Sequence, residues 1–193
     1  MKINILITVL IGGFLTVLTS CEDKAPIVEE KENPFEPEVG WNGFGLDGVP
    51  YATPNAIIEI FGENIDSLSS DYDVSFTDGT FNPLIRDVFD YSILVYFDVN
   101  SPALNELSTG TYYFENTPER EPNKIVEAYA IISNDSSGKI TKYPIIEGMV
   151  EVSEANGFFL VEYSMKTVKD GEVVDIIGQY TGMFQLIDQT LNR

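Results

Sequence analysis

Apolar and polar residues alternate with a period of two along most of residues 40–188, the signature of strands that bury one face. The cleanest stretch sets Phe159, Val161, Tyr163 and Met165 against Leu160, Glu162, Ser164 and Lys166. Val174, Ile176, Gly178, Tyr180, Gly182, Phe184 and Leu186 continue the rule against Asp175, Gln179, Thr181 and Gln185. Between the two runs, Lys169-Asp170-Gly171-Glu172 puts glycine where a tight hairpin turn needs a positive φ. The pattern therefore predicts a hairpin whose core face carries Val161, Tyr163, Ile176, Tyr180 and Phe184. Earlier strands are expected at Ala56–Phe61, Tyr72–Thr77, Tyr91–Val99, Thr111–Phe114, Val126–Ser133 and Ile145–Ser153. The turns between them read as Thr77-Asp78-Gly79-Thr80, Asn134-Asp135-Ser136-Ser137-Gly138 and Glu154-Ala155-Asn156-Gly157. Ser101-Pro102, an N-cap followed by proline at the first helical position, predicts one or two helical turns ending near Gly110.

About eight or nine short strands with hairpin-length links define an all-β class, a single antiparallel meander built as a β-sandwich or a flattened, calycin-like barrel. Gly178 and Gly182 mark places where the last strand bends from one sheet to the other. Residues 40–193 are long enough to form one core burying roughly 68–70% of the unfolded surface.

Upstream of this domain the pattern changes. Met1-Lys2 is a short positive start, Ile3 to Leu18 is an apolar run, and Leu18-Thr19-Ser20-Cys21 closes it as a lipobox. Residues 1–20 thus read as a cleaved lipoprotein signal peptide, with Cys21 as the lipid attachment site. The apolar run is shorter than the roughly 20 residues that span a bilayer. Glu22 to Glu38 holds seven acids, two lysines and three prolines. That composition buries too little apolar surface to offset ordering entropy, so residues 21–39 read as an acidic disordered tether.

Charge and composition narrow the chemistry. The chain of 193 residues has a formal charge of −20, no histidine and one cysteine. With Cys21 lipidated, no disulfide, thiol nucleophile or thiolate metal site is left. Without histidine, Ser-His-Asp catalysis and ordinary zinc sites are excluded. No lysine or arginine cluster exists to release counterions from a phosphate backbone, so nucleic acid is not an expected partner. Asp66, Asp71 and Asp73 are close enough in sequence to offer oxygens to calcium, but lack the glycine and spaced glutamate of a calcium loop. Ser136 to Lys139 has serine-acylase spacing, but in a hairpin turn rather than at a helix start. The expectation is a non-enzyme with no catalytic residue, cofactor or metal.

Aromatic residues are the remaining candidates for recognition. Trp41 opens the domain within Trp41-Asn42-Gly43-Phe44-Gly45, while Tyr51, Tyr96, Tyr112, Tyr113 and Tyr129 are spread through the strands. Exposed rings stack on sugars or contact partner proteins, and buried ones fill cores. Tyr96 and Tyr129 fall on the strand face opposite the regular apolar set, which makes Trp41, Tyr96 and Tyr129 the binding candidates.

The run Cys21-Glu22-Asp23-Lys24 resembles the start of surface-exposed lipoproteins of Bacteroidota, in which acids after the lipidated cysteine act as an export signal. Residues 108–114 (Ser-Thr-Gly-Thr-Tyr-Tyr-Phe) and 178–184 (Gly-Gln-Tyr-Thr-Gly-Met-Phe) are similar to patterns in small β-rich lipoproteins of that phylum. The resemblance implies an outer-membrane protein anchored through the lipid on Cys21 and facing the cell exterior, with the periplasmic face as the alternative. The expected role is a non-enzymatic binding or accessory module for an envelope protein or glycan. A barrel holding a small apolar ligand is the first alternative. A glycan-active enzyme using carboxylates alone is the second.

Overall fold

The computed structural model describes residues 40–190 except 65–67, 83–86, 105, 116–119 and 135–138. The leader, Cys21, the tether, Asp66 and the Ser136–Gly138 turn lie outside the described residues. Thirteen strands occur among the described residues. They are β1 (Gly43–Leu46), β2 (Val49–Ala52), β3 (Asn55–Asn64), β4 (Ser69–Thr77), β5 (Thr80–Asn82), β6 (Asp87–Phe89) and β7 (Ile93–Ser101). The rest are β8 (Gly110–Phe114), β9 (Lys124–Asn134), β10 (Lys139–Ala155), β11 (Phe158–Lys169), β12 (Glu172–Gly182) and β13 (Gln185–Asp188).

Turn chemistry sets three of the pairings. Asp47-Gly48, Asn156-Gly157 and Asp170-Gly171 each place two successive residues at positive φ, between 52° and 89°. That is the primed turn whose twist matches right-handed strands. These turns join β1 to β2, β10 to β11 and β11 to β12, and the last is the hairpin expected from Lys169 to Glu172.

Eleven strands form one sheet in the order β13-β3-β4-β7-β9-β8-β10-β11-β12-β1-β2, and β5 and β6 form a separate pair. The large sheet curls until its two halves face each other. Phe76 on β4 stacks on Tyr163 of β11 and Tyr180 of β12 at 5.8 and 5.2 Å, and Phe97 on β7 meets Tyr163 edge-on at 5.4 Å. Alternate residues of each strand fill this core, including Val74, Val95, Val161, Met165 and Ile176. A small void of about 10 Å³ lies beside Val74, Phe97 and Val161. The curl has a local cause in β10. Its first half pairs with β9 up to Pro144 and its second half with β8 from Met149, and between them the register against β11 shifts from Ile145 to Glu147, just before Gly148 at φ 152°. A Cβ at 148 would lie 2.6 Å from the Ser164 carbonyl oxygen, so glycine permits the close approach beside this bulge.

The all-β architecture agrees with the hydrophobic pattern, but its detail differs from an eight- or nine-strand antiparallel meander. β1, β2, β5, β6 and β13 are three or four residues long, too short to show a period, and all four residues of β1 are buried. Two pairings, β8 with β9 and β13 with β3, are parallel, so the sheet is mixed. The expected continuous strand to Leu186 breaks after Gly182. Leu186 is exposed and Ile187 is buried, because β13 crosses to pair with β3 on the opposite half. No helix forms after Ser101 among the described residues. The Ser101 hydroxyl instead closes an irregular loop, accepting from the Ser108 amide at 3.0 Å and donating to the Glu106 carbonyl at 2.8 Å.

Candidate functional site

At one end of the curled sheet the core gives way to an open cleft of about 790 Å³. One wall is Ile58 and Ile60 of β3 with Leu186 of β13; the other carries Phe159 at the start of β11. Leu107, from the Ser101 loop, and Met183 and Phe184, from the β12–β13 link, complete the apolar lining. The link is held from below. Phe184 packs edge-on against Phe159 at 4.9 Å, and the Tyr180 hydroxyl donates to the Met183 carbonyl at 2.9 Å. A Cβ at Gly182 would stand 2.5 Å from that hydroxyl, so the glycine keeps the path open. The rim is unusually apolar for a surface: Met183 is 64% and Leu186 63% exposed, and Phe158, between the lining residues Gly157 and Phe159, is exposed as well. Glu106 and Glu154 supply the charge of the lining, and Ser108 and Thr109 its hydroxyls.

Tyr72 of β4 also lines this cleft and is 1% exposed. Its hydroxyl is enclosed, with the Ser70 side chain on the same face acting on it. Burial pushes the hydroxyl up to about 12; Ser70 works against the rise, and Tyr112 and Glu106 add to it.

The three aromatic binding candidates do not meet at this cleft. Tyr96 and Tyr129 are direct cross-strand partners on the outer faces of β7 and β9, stacked at 4.7 Å. Tyr96 donates to Asp73 Oδ1 at 2.7 Å, and Lys142 Nζ lies 3.6 Å from the centre of the Tyr129 ring. Trp41 lies before β1, its ring against Gly43 and its carbonyl accepting from Gln179 Nε2 at 2.9 Å. A sugar could stack on Tyr129 through the Lys142 face only by displacing the ammonium.

Register places four acids in one row on the same outer face: Glu59, Asp73, Asp98 and Glu127 are successive partners across β3, β4, β7 and β9. Like charges directly opposite repel, and each member has a compensating donor. Gln189 donates to Glu59 at 3.0 Å, Tyr96 to Asp73, and Lys142 to Glu127 at 3.2 Å. Arg120 bridges Asp98, at 2.9 and 3.1 Å, and Asp71. Burial pushes Asp73 up to about 7; the Tyr96 hydrogen bond opposes the rise and the charges of Asp98, Glu59 and Asp71 add to it. Asp98 rises to about 6, again by burial first, with Arg120 opposing and Asp71 reinforcing. Asp71 and Asp73 are thus engaged by Arg120 and Tyr96, and among the described residues no group of three or more acidic or thiol side chains is placed to hold a metal ion.

The cleft was not foreseen, although a signal for it exists. Met183-Phe184 and Leu186-Ile187 are adjacent apolar pairs where strict alternation demands one polar partner each. Such a doubling marks a change of face. Comparison with protein-family models, with curated proteins and with solved structures finds no match to this chain. The functional reading rests on the geometry of the cleft.

Proposed function

We propose that the chain is a lipid-anchored binding protein of the bacterial cell envelope, held at the outer membrane through Cys21, that takes an apolar molecule into the cleft without altering it chemically. The observation that carries this reading is the cleft itself. A cleft of about 790 Å³ with somewhat more apolar than polar lining falls in the size range of small-molecule sites, and its rim leaves large side chains in water that a bound apolar body would cover. A filled core beneath it gives the walls the rigidity that a preformed site needs. The anchor and the envelope location rest on the lipobox and on the acidic residues that follow Cys21.

The test is titration of the purified protein with diphenylhexatriene, an uncharged apolar fluorophore. Saturable enhancement at one site is expected, weakened about tenfold or more by Leu186→Asp, which places a charge in the mouth. Leu186 is exposed, so the variant should melt where the parent does. Absence of saturable binding would sink the reading. An accessory role, with an apolar segment of an envelope protein seated in the same mouth, is the second reading; the exposed rim favours it, and a pull-down from intact cells separates the two.

A further inference from the structure

The lining of the cleft divides by element into an apolar side and an acidic one. Ile58 and Ile60 of β3, Met183 and Phe184 of the β12–β13 link and Leu186 of β13 form the apolar side. Glu106, Ser108 and Thr109 arrive on the loop that leads into β8, and Glu154 stands near the end of β10, two residues past the point where Val152 pairs with Gly110 of β8. Alternation makes Glu154 notable. Along β10 the inward face runs Val150, Val152 and then Glu154, whose direct partner on β11 is Phe159. The two valines are buried in the core, and the next inward position, where the core opens into the cleft, holds a carboxylate.

Among the described residues neither glutamate is matched by a cation. No lysine or arginine lines the cleft, and Arg120, Lys124, Lys142, Lys166 and Lys169 pair with acids elsewhere. Glu154 accepts from the Gly157 amide at 2.5 Å across the β10–β11 turn, which holds its carboxylate in place without neutralising it. Both glutamates are exposed, so water solvates their charges while the cleft is open. A molecule that fills the cleft takes part of that water away. An uncharged body offers the carboxylates nothing in return, and an anionic head adds repulsion. A cationic head replaces the lost water with charge-assisted contacts.

We infer that the cleft takes an amphiphilic cation, an apolar chain ending in an amine, with the chain against Ile58, Ile60 and Leu186 and the ammonium against Glu106 and Glu154. This rests on the cleft being a binding site, and it specifies the head group which that site selects. The apolar side supplies affinity, and the two carboxylates supply discrimination among molecules with the same chain.

The experiment displaces diphenylhexatriene with decylamine, decan-1-ol and decanoate, which share a ten-carbon chain and differ in head group. At pH 7 the amine is protonated, as a lysine side chain is. Pairs at exposed carboxylates are individually weak, so decylamine should bind roughly 3- to 10-fold tighter than decan-1-ol, and decanoate weaker than either. Glu106→Gln with Glu154→Gln should bring decylamine to within about twofold of the alcohol. The chain's formal charge of −20 attracts every cation, so a control removes equal charge elsewhere. Glu151→Gln with Glu162→Gln, at two exposed cross-strand partners on the outer face of β10 and β11, should leave the preference for decylamine intact. Equal binding of decylamine and decan-1-ol by the parent would overturn the inference while leaving the cleft a binding site. A preference that survives the cleft substitutions, or falls equally with the outer pair, would overturn it as well. Failure of diphenylhexatriene to bind the parent would instead remove the binding reading, and the inference with it.

Discussion

Tyr163 on β11 and Gly178 on β12 are direct cross-strand partners, and the Tyr163 ring lies across the space that any side chain at 178 would need. The same ring stacks on Phe76 and meets Phe97 edge-on, so it joins the two halves of the curled sheet. Gly178→Ala must push it away from both. A loss of about 2 to 3 kcal/mol is expected from this overpacking, measured as the shift in urea midpoint at constant m-value. A cost within 0.5 kcal/mol would mean that the ring relocates freely.

Phe184 separates the core from the cleft. It touches Phe159, Tyr180 and Phe76 but is only partly buried. Fully buried phenylalanines cost about 3 to 5 kcal/mol on truncation to alanine, so Phe184→Ala should cost less, about 2 kcal/mol. Thermal melting of the variant checks this, and an effect near zero would place the residue outside the packed set.

The row of acids makes stability depend on pH in an unusual direction. Asp73 is raised to about 7 and Asp98 to about 6, both above an unfolded aspartate near 3.9. The folded state therefore holds these protons more tightly than the unfolded state. Their contribution is fully present below about pH 4 and is lost as pH rises through about 6 to 7. Discounted for partial solvent access, a gain of roughly 1 to 2 kcal/mol at pH 5 over pH 8 is expected, several degrees in Tm. Calorimetry across that range should show it, and Asp73→Asn should flatten the profile.

Arg120 is the cation of that cluster. Replacing it as Arg120→Gln leaves the nearly buried carboxylates of Asp71 and Asp98 facing each other without their bridge. With the arginine itself about a third exposed, a loss of roughly 2 kcal/mol at pH 8 is expected. The loss should shrink at pH 5, where Asp98 takes up a proton. A loss independent of pH would assign Arg120 a packing role only.

Cys21→Ala tests the proposed anchor. Lipid labelling should disappear, and the protein should be released or accumulate as uncleaved precursor. Continued labelling in the membrane fraction would show attachment elsewhere.

Long strands were legible because each buries one face, as Val161, Tyr163 and Met165 do on β11 and Val74 and Phe76 on β4. The alternation failed where burial is two-sided or absent. Phe44 and Leu46 of β1 sit among neighbours buried on both faces, and the apolar pairs around Gln185 belong to a link that changes sides. The Ser101-Pro102 cap signal predicts a helix start that does not form, because Leu107 is drawn into the core and the Ser101 hydroxyl closes a loop around it. The cleft depends on which residues meet across the curl, and no local pattern encodes that meeting. Tyr72 alternates like any core residue; only the sheet's curvature makes it part of the lining of a cleft.

The two edges of the large sheet are β13 and β2, each four residues long. Unpaired strand edges are templates on which other chains extend a sheet, and the hazard grows with length and regularity. Here each edge offers little more than one repeat of the backbone ladder, and Pro50 in β2 removes a donor from one of them. The two outermost strands of the large sheet thus offer little backbone ladder on which another chain could extend it, so association through the apolar mouth would depend on side chains.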